Sequence, residues 1–180
     1  MTAPVLPILP DYLAPGLDVV FVGAAPSLSS EQIGHYYAGP TNKFWRLLHE
    51  AGFTPRLLHS EEDADVLRYR IGLTGLYKHT STSAVHLLPP PTDTQRRELE
   101  RKITMYAPRF VCFNGKDVYR LATGRVCVEW GEQEAKVGQA RVFVAHSSSA
   151  RADGWGRERL ALYHELRSLI QPGTQNFVKS

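Results

Sequence analysis

Two short stretches combine small and hydroxyl-bearing residues in a way that suits ligand contact. One is Gly23-Ala24-Ala25-Pro26-Ser27-Leu28-Ser29-Ser30; the other is His146-Ser147-Ser148-Ser149-Ala150-Arg151. Small side chains let backbone N–H groups come close to a ligand, and hydroxyls add further donors. A glycine-led turn between a strand and a helix can hold a phosphate. The first stretch has neither the Gly-x-Gly-x-x-Gly spacing of a dinucleotide site nor the Gly-Lys-Ser/Thr of a P-loop. Taken alone it also reads as a plain connecting turn. Cations are unevenly placed: residues 1–42 hold no Lys or Arg, whereas 96–125 and 141–167 are rich in arginine. That pattern suits one basic face toward a polyanion, or ordinary solvated helix surfaces.

The elements that must position these stretches follow from apolar runs. Leu17–Gly23 is a short β-branched run ending in glycine and predicts a buried strand. Ile71–Thr74, Phe110–Phe113 and Arg141–Ala145 predict three more, and Val128–Trp130 with Glu134–Val137 predicts a hairpin. Between them, Phe44, Leu47, Leu48 and Ala51 share one helical face, closed by Gly52. Thr92 and Gln95 form a capping box after Pro89-Pro90-Pro91 and start a helix that runs to Tyr106. A further helix starts at Lys116, and Gly156–Ile170 forms the last. Strands alternating with helices, with core strands apolar on both faces, argue for a parallel sheet covered on both sides. In such sheets ligands sit at the carboxyl ends of the strands, where both loops fall.

The chain has 180 residues, 43% of them hydrophobic and 22% charged, with a net charge of +3. That fits one globular domain able to bury about 70% of its unfolded surface, and excludes disordered and disulfide-scaffold classes. We expect an arm at residues 1–16, a single domain at 17–171 and a tail at 172–180. The arm carries four prolines and no basic residue, unlike a secretory signal. No apolar run is long enough for a membrane span, and Cys112 and Cys127 are expected to be reduced thiols in a cytoplasmic protein (at the nucleoid, if bacterial).

Taken together and in order, six motifs carry a resemblance. They are Val19-Val20-Phe21-Val22-Gly23-x-x-Pro26, Gly34-His35-Tyr36-Tyr37-Ala38-Gly39-Pro40-Thr41-Asn42-Lys43-Phe44-Trp45, Ala51-Gly52-Phe53-Thr54, Gly72-Leu73-Thr74, Phe113-Asn114-Gly115-Lys116 and Ser147-Ser148-Ser149-Ala150-Arg151. In this spacing the chain resembles the mismatch-specific uracil/thymine-DNA glycosylase family of the uracil-DNA glycosylase superfamily, over Leu17 to Ile170. The resemblance implies a three-layer α/β/α fold with a central, mainly parallel sheet. It implies hydrolysis of the N-glycosidic bond of uracil in double-stranded DNA, notably opposite guanine or at another mismatched pyrimidine, with no metal or organic cofactor. The target base must leave the stack, so a pocket and a wedge are needed. Tyr37 matches the family's stacking aromatic, the backbone of Ala24 faces the base, and Ala150-Arg151 matches the wedge. Ser147, Ser148 and Ser149 are candidate phosphate donors. One domain engaging one lesion suits a monomer.

The sequence departs from this family at two places. Ala25 stands where an asparagine usually positions the attacking water; a methyl group cannot. The reaction passes through an oxocarbenium-like sugar, so a carboxylate is the natural substitute. Asp93 is the first candidate, since Thr92 takes the cap and the helix dipole favours an ionised carboxylate there. His146, which leads the wedge loop, is the second and can donate to the leaving base; Asp18, Glu31 and Asp153 are less constrained. Gly75 stands where a polar side chain often reads the base, so a wider pocket and looser base choice are expected. Neither of the two small-residue loops, Gly23–Ser30 and His146–Arg151, holds a lysine, and Lys78 and Lys116 lie outside both, which argues against a covalent lyase step. The alternatives are a damaged-DNA binding protein without catalysis and a nucleotide-binding α/β module.

Overall fold

A computed structural model describes residues 5–171; residues 1–4 of the expected arm and the expected tail at 172–180 lie outside the described residues. Five strands form one sheet: β1 (Val19–Gly23), β2 (Ile71–Gly75), β3 (Phe110–Asn114), β4 (Gly131–Val137) and β5 (Ala140–Ala145). Their order is β2-β1-β3-β5-β4. The first four in that order run parallel and β4 pairs antiparallel with β5 at the edge. The expected mainly parallel sheet is therefore present. Helices α1 (Leu28–Ile33), α2 (Phe44–Glu50), α3 (Asp93–Tyr106), α4 (Lys116–Thr123) and α5 (Gly156–Ile170) surround it, with 3-10 turns at Ser60–Tyr69, Val85–Leu87 and Ala150–Trp155.

Alternation along β1 divides the core in two. Val19 and Phe21 join Phe44, Leu48, Tyr163 and Leu166 of α2 and α5 on one face. Val20 and Val22 join Leu99, Ile103, Val118 and Tyr119 of α3 and α4 on the other. Phe21 sits edge-on to Phe44 at 5.2 Å and stacks on Tyr163 at 5.8 Å. The predicted face of α2 is buried throughout, and the capping box is made: the Gln95 amide donates to Thr92 Oγ1 (3.2 Å) and the Thr92 amide to Gln95 Oε1 (2.8 Å).

Two expected elements are corrected. The stretch read as a loop through Ser30 turns helical at Leu28, because Ser27 Oγ caps it by accepting from the Ser30 amide at 3.0 Å. Val128–Trp130 is not a strand. The hairpin joins β4 to β5 instead, through a two-residue turn in which Gly138 adopts φ +56°, a conformation that matches strand twist. Ahead of β1, Tyr12 exchanges backbone hydrogen bonds with Leu73 of β2. Gly72 permits this approach: a Cβ there would lie 2.8 Å from the Tyr12 carbonyl oxygen.

The chain leaves β1 toward β2 on one side and returns to β3 on the other. β1 and β3 therefore flank a topological switch point, where their carboxyl ends diverge and leave a crevice.

Candidate active site

A cleft of about 560 Å³ opens at that point. Its floor comes from four strand ends: Gly23, Ala24 and Ala25 after β1, Thr74 and Gly75 of β2, Asn114 and Gly115 at β3, and His146 and Ser147 after β5. The β1–β2 pairing runs on past the strands, with the Leu76 amide donating to Gly23 O (3.0 Å) and the Tyr77 amide to Ala24 O (2.8 Å). A Cβ on Gly75 would lie 3.4 Å from Ala24 O, so the side chain missing there would have stood directly over the Ala24 backbone.

Tyr37 lines the cleft in a left-handed conformation, φ +51°. An aromatic residue there carries backbone strain, of the kind that collects at functional sites. Its ring stacks on Phe44 with centroids 3.9 Å apart. Burial pushes its phenol well above the ordinary range, with Asn114 opposing, so the hydroxyl stays neutral. The loop carrying Tyr37 is held by a buried carboxylate. Asp63 accepts from the Tyr36 amide (2.9 Å) and from the Tyr12 hydroxyl (3.0 Å), and lies 3.1 Å from His35 Nδ1. Ser30 Oγ accepts from the Ala38 amide at 3.1 Å.

The serine loop is fastened from beneath. Asn114 Nδ2 donates to Ser148 Oγ (3.0 Å), and the Ser148 amide donates back to Asn114 Oδ1 (2.9 Å). Ser148 is fully buried. This corrects the expectation of three phosphate donors: Ser147 and Ser149 line the cleft, while Ser148 holds the loop to β3. Arg159 of α5, only 4% exposed, donates from Nη1 to the Ser147 and Ser149 carbonyls, both at 3.1 Å, and from Nη2 to Asp153. Ala150 begins the following 3-10 turn. Arg151 is exposed and donates to the Ser83 carbonyl across the cleft mouth at 3.3 Å.

His146 is buried at 4% exposure, 3.8 Å from the Trp130 ring and 5.2 Å from the Trp155 ring. Burial lowers its pKa, with Glu158 opposing, so the imidazole is neutral at pH 7. Asp93 is the first residue of α3; it is exposed and lies outside the cleft lining, and its carboxylate makes no hydrogen bond or ion pair to another described residue. The segment before it does reach the cleft, through Val85 and His86. The carboxylate within the described lining is Asp117, bound to Arg120 at 3.2 Å. Asp18 sits at the opposite end of the sheet, paired with Arg70 and Arg109. Glu31 accepts from Ser81.

Lys78 and Lys116, outside both small-residue loops in sequence, line the cleft. Lys78 Nζ lies 2.6 Å from Asp11 Oδ1 and 3.2 Å from the Tyr36 hydroxyl. Lys102 takes the other Asp11 oxygen at 2.6 Å and Thr74 donates to Oδ1 at 2.7 Å. Lys116 Nζ rests 4.4 Å above the Trp130 ring.

The switch-point cleft therefore has an aromatic wall, a small-residue floor and a basic rim. The sequence profile of the uracil DNA glycosylase superfamily matches residues 10–170. The chain belongs to that superfamily, which places it among DNA glycosylases. The fold is also similar to a solution NMR structure from Methanosarcina acetivorans, a protein provisionally assigned as a uracil DNA glycosylase. The two are 24% identical with a TM-score of 0.58, over 88% of this chain and 96% of that one.

Proposed function

We propose that the protein is a monofunctional, mismatch-specific glycosylase that flips uracil out of duplex DNA, notably opposite guanine, and hydrolyses its N-glycosidic bond. It acts as a monomer and needs no cofactor. The observation that carries this reading is the placement of the Tyr37 ring, the bare Gly75 floor and the Ser147–Arg151 loop around one cleft. The flipped base stacks on Tyr37, and Ala24 faces it with backbone groups. Arg151 leaves Ser83 to fill the gap in the stack, and Ser147 and Ser149 contact the flanking phosphates.

Hydrolysis needs a base for water and a negative charge beside the oxocarbenium-like sugar. We assign both to Asp93, whose carboxylate has no competing partner among the described residues and stands at a helix N-terminus. It lies outside the cleft lining, and catalytic hydrogen bonds often tighten only around substrate. Asp117 is tied to Arg120, and His146 is wedged beside two indoles. Of the two cleft lysines, Lys78 has its pKa lowered by burial, with its ion pair to Asp11 opposing, and that pairing supports a hydrolytic rather than a covalent reaction; Lys116 rests over the Trp130 ring instead.

Single-turnover cleavage of a labelled duplex bearing uracil opposite guanine tests this. Wild type should yield abasic sites without strand scission. Asp93→Ala should lose about 10²–10⁴-fold, while Asp117→Asn and His146→Gln stay within about tenfold of wild type. Equal rates for wild type and Asp93→Ala would remove Asp93 from the chemistry. Ala25 favours one second reading, a damaged-DNA binding protein; tight lesion binding with no product from wild type would establish it.

A further inference from the structure

The cleft is larger than a single base requires. Its volume lies in the range that takes a drug-sized ligand, well beyond a single pyrimidine ring. The Tyr37–Gly75 side accounts for one part. The other part is an aromatic ledge that the excision reading leaves unused.

Four side chains from separate segments make this ledge. Lys116 Nζ sits 4.4 Å above Trp130. Trp130 lies 3.8 Å from His146, inclined at 32°, and His146 lies 5.2 Å from Trp155 at 15°. The imidazole is covered, whereas Trp130 is 39% exposed and Trp155 54%. All four line the cleft that Tyr37 and Gly75 line. Single exposed apolar side chains need no explanation, but here two partly open indoles flank one imidazole inside the same cleft. Charge narrows the occupant: Lys116, Arg120 and Arg151 share this lining, and Asp117 is its one acidic residue among the described residues. Aromatic faces interleaved with cations are the arrangement that holds unpaired nucleobases on a phosphate backbone.

We propose that the Trp130–His146–Trp155 ledge is a second nucleobase subsite, which stacks the unpaired base next to the target nucleotide while Tyr37 holds the target itself. This rests on the reading of the cleft as a DNA glycosylase site. The protein then opens two adjacent nucleotides rather than one, and gains most from DNA in which the neighbour is already unpaired.

Two measurements test it. In the first, the base beside uracil is replaced by an abasic spacer, on the 5′ or the 3′ side, in single-stranded and duplex substrates. Wild-type kcat/KM should fall on the order of tenfold for a spacer on one side, in keeping with one base stacked on an aromatic side chain. Trp155→Ala should lose a similar factor on the intact substrate and nothing further with the spacer, whereas Trp155→Phe keeps most of the effect. This non-additivity is the signature of a direct contact, and loss of an exposed side chain leaves the fold intact. In the second, a lesion-free single strand carrying 2-aminopurine is titrated with protein. Quenching by wild type but not by Trp155→Ala supports the subsite. Equal spacer sensitivity in wild type and Trp155→Ala, or quenching unaffected by Trp155→Ala, overturns it. The lesion-free titration needs no excision, so a wild type that removes no uracil defeats the proposed function while the ledge is still judged.

Discussion

Replacing Arg159 by Met should loosen the Ser147–Arg151 loop, which contacts DNA on the proposed reading, without touching its sequence. The guanidinium donates to the carbonyls of Ser147 and Ser149, both at 3.1 Å. A hydrogen bond from a charged donor is worth roughly 1.5–3 kcal/mol. Two opposing effects reduce the total. Both serines are half-buried, so water can reach the freed carbonyls, and removing a buried cation recovers part of its desolvation cost. The partner Asp153 is over half exposed, and such pairs contribute little. The net loss should be about 2–3 kcal/mol, which in a domain of this size lowers Tm by roughly 4–12 °C. Excision should fall about ten- to a hundredfold, because the loop no longer holds Arg151 and the serines in register with DNA. Arg159→Lys should be intermediate, since an ammonium lacks the planar fork that reaches both carbonyls. Thermal unfolding and single-turnover excision on the same preparations read both effects. A Tm within about 1 °C of wild type, with unchanged excision, would refute the reasoning and leave the loop held by Asn114 and by the Lys43 amide on Ser148 O.

Tyr37→Phe should excise at close to the wild-type rate, since the ring carries the stacking, whereas Tyr37→Ala should lose about 5- to 150-fold in kcat/KM; steady-state kinetics on uracil opposite guanine separates them. Gly75→Asn puts a donor over Ala24 and narrows the floor, so the ratio of uracil to larger altered pyrimidines excised should rise in a competition assay. Stability should fall in two acid windows, followed by urea midpoints against pH. Burial pushes the Asp11 carboxyl up, but Lys78 and Lys102 outweigh this and hold it below the ordinary value. Its contribution is therefore present at neutral pH and lost as pH falls below about 4, and Asp11→Asn should flatten that limb. Burial lowers the His146 pKa, so stability is full above about 6.5 and falls below it as the unfolded chain takes up the proton first; His146→Gln should remove that slope.

The parallel sheet was legible because each inner strand is an apolar run of about five residues and the longer helices declare a face or a cap, whereas short α1 reads as a loop. Edge β4 was legible only in its second half, Glu134–Val137, since from Glu132 on its residues alternate between exposed and half-buried and three of its seven residues are charged. What makes it a strand is the Gly138 turn that returns it onto β5. The cleft loops were legible for the same reason as the sheet, since strand ends converge once alternation fixes the topology. The groups that hold those loops were not. Asp63 lies in an acidic run and meets Tyr36 from 27 residues away. Arg159 looks like any arginine in a charged helix, and its burial appears only when α5 packs under the serine loop. Trp130 and Trp155 lie on unpatterned segments flanking His146, and no local period joins them.

The floor of the cleft constrains what the protein can distinguish. Ala24, Ala25 and Gly75 offer no side-chain hydrogen bond. Thr74 donates its hydroxyl proton to Asp11, and Asn114 is engaged at both ends of its amide by Ser148. Asn42 Oδ1 accepts from the Phe44 amide at 2.9 Å, which leaves its Nδ2 without a partner among the described residues and able to read a base on the proposed reading. A site built to hydrogen-bond its substrate rejects an analogue lacking the partner by about 10⁴–10⁵, whereas an apolar pocket discriminates a methyl group by only about 10–200-fold. With so few committed donors, selection on the proposed reading shifts from the pocket to the step before it. A mispaired base costs least to extrude, so the opposing base, rather than the contour of the floor, decides which nucleotide reaches Tyr37.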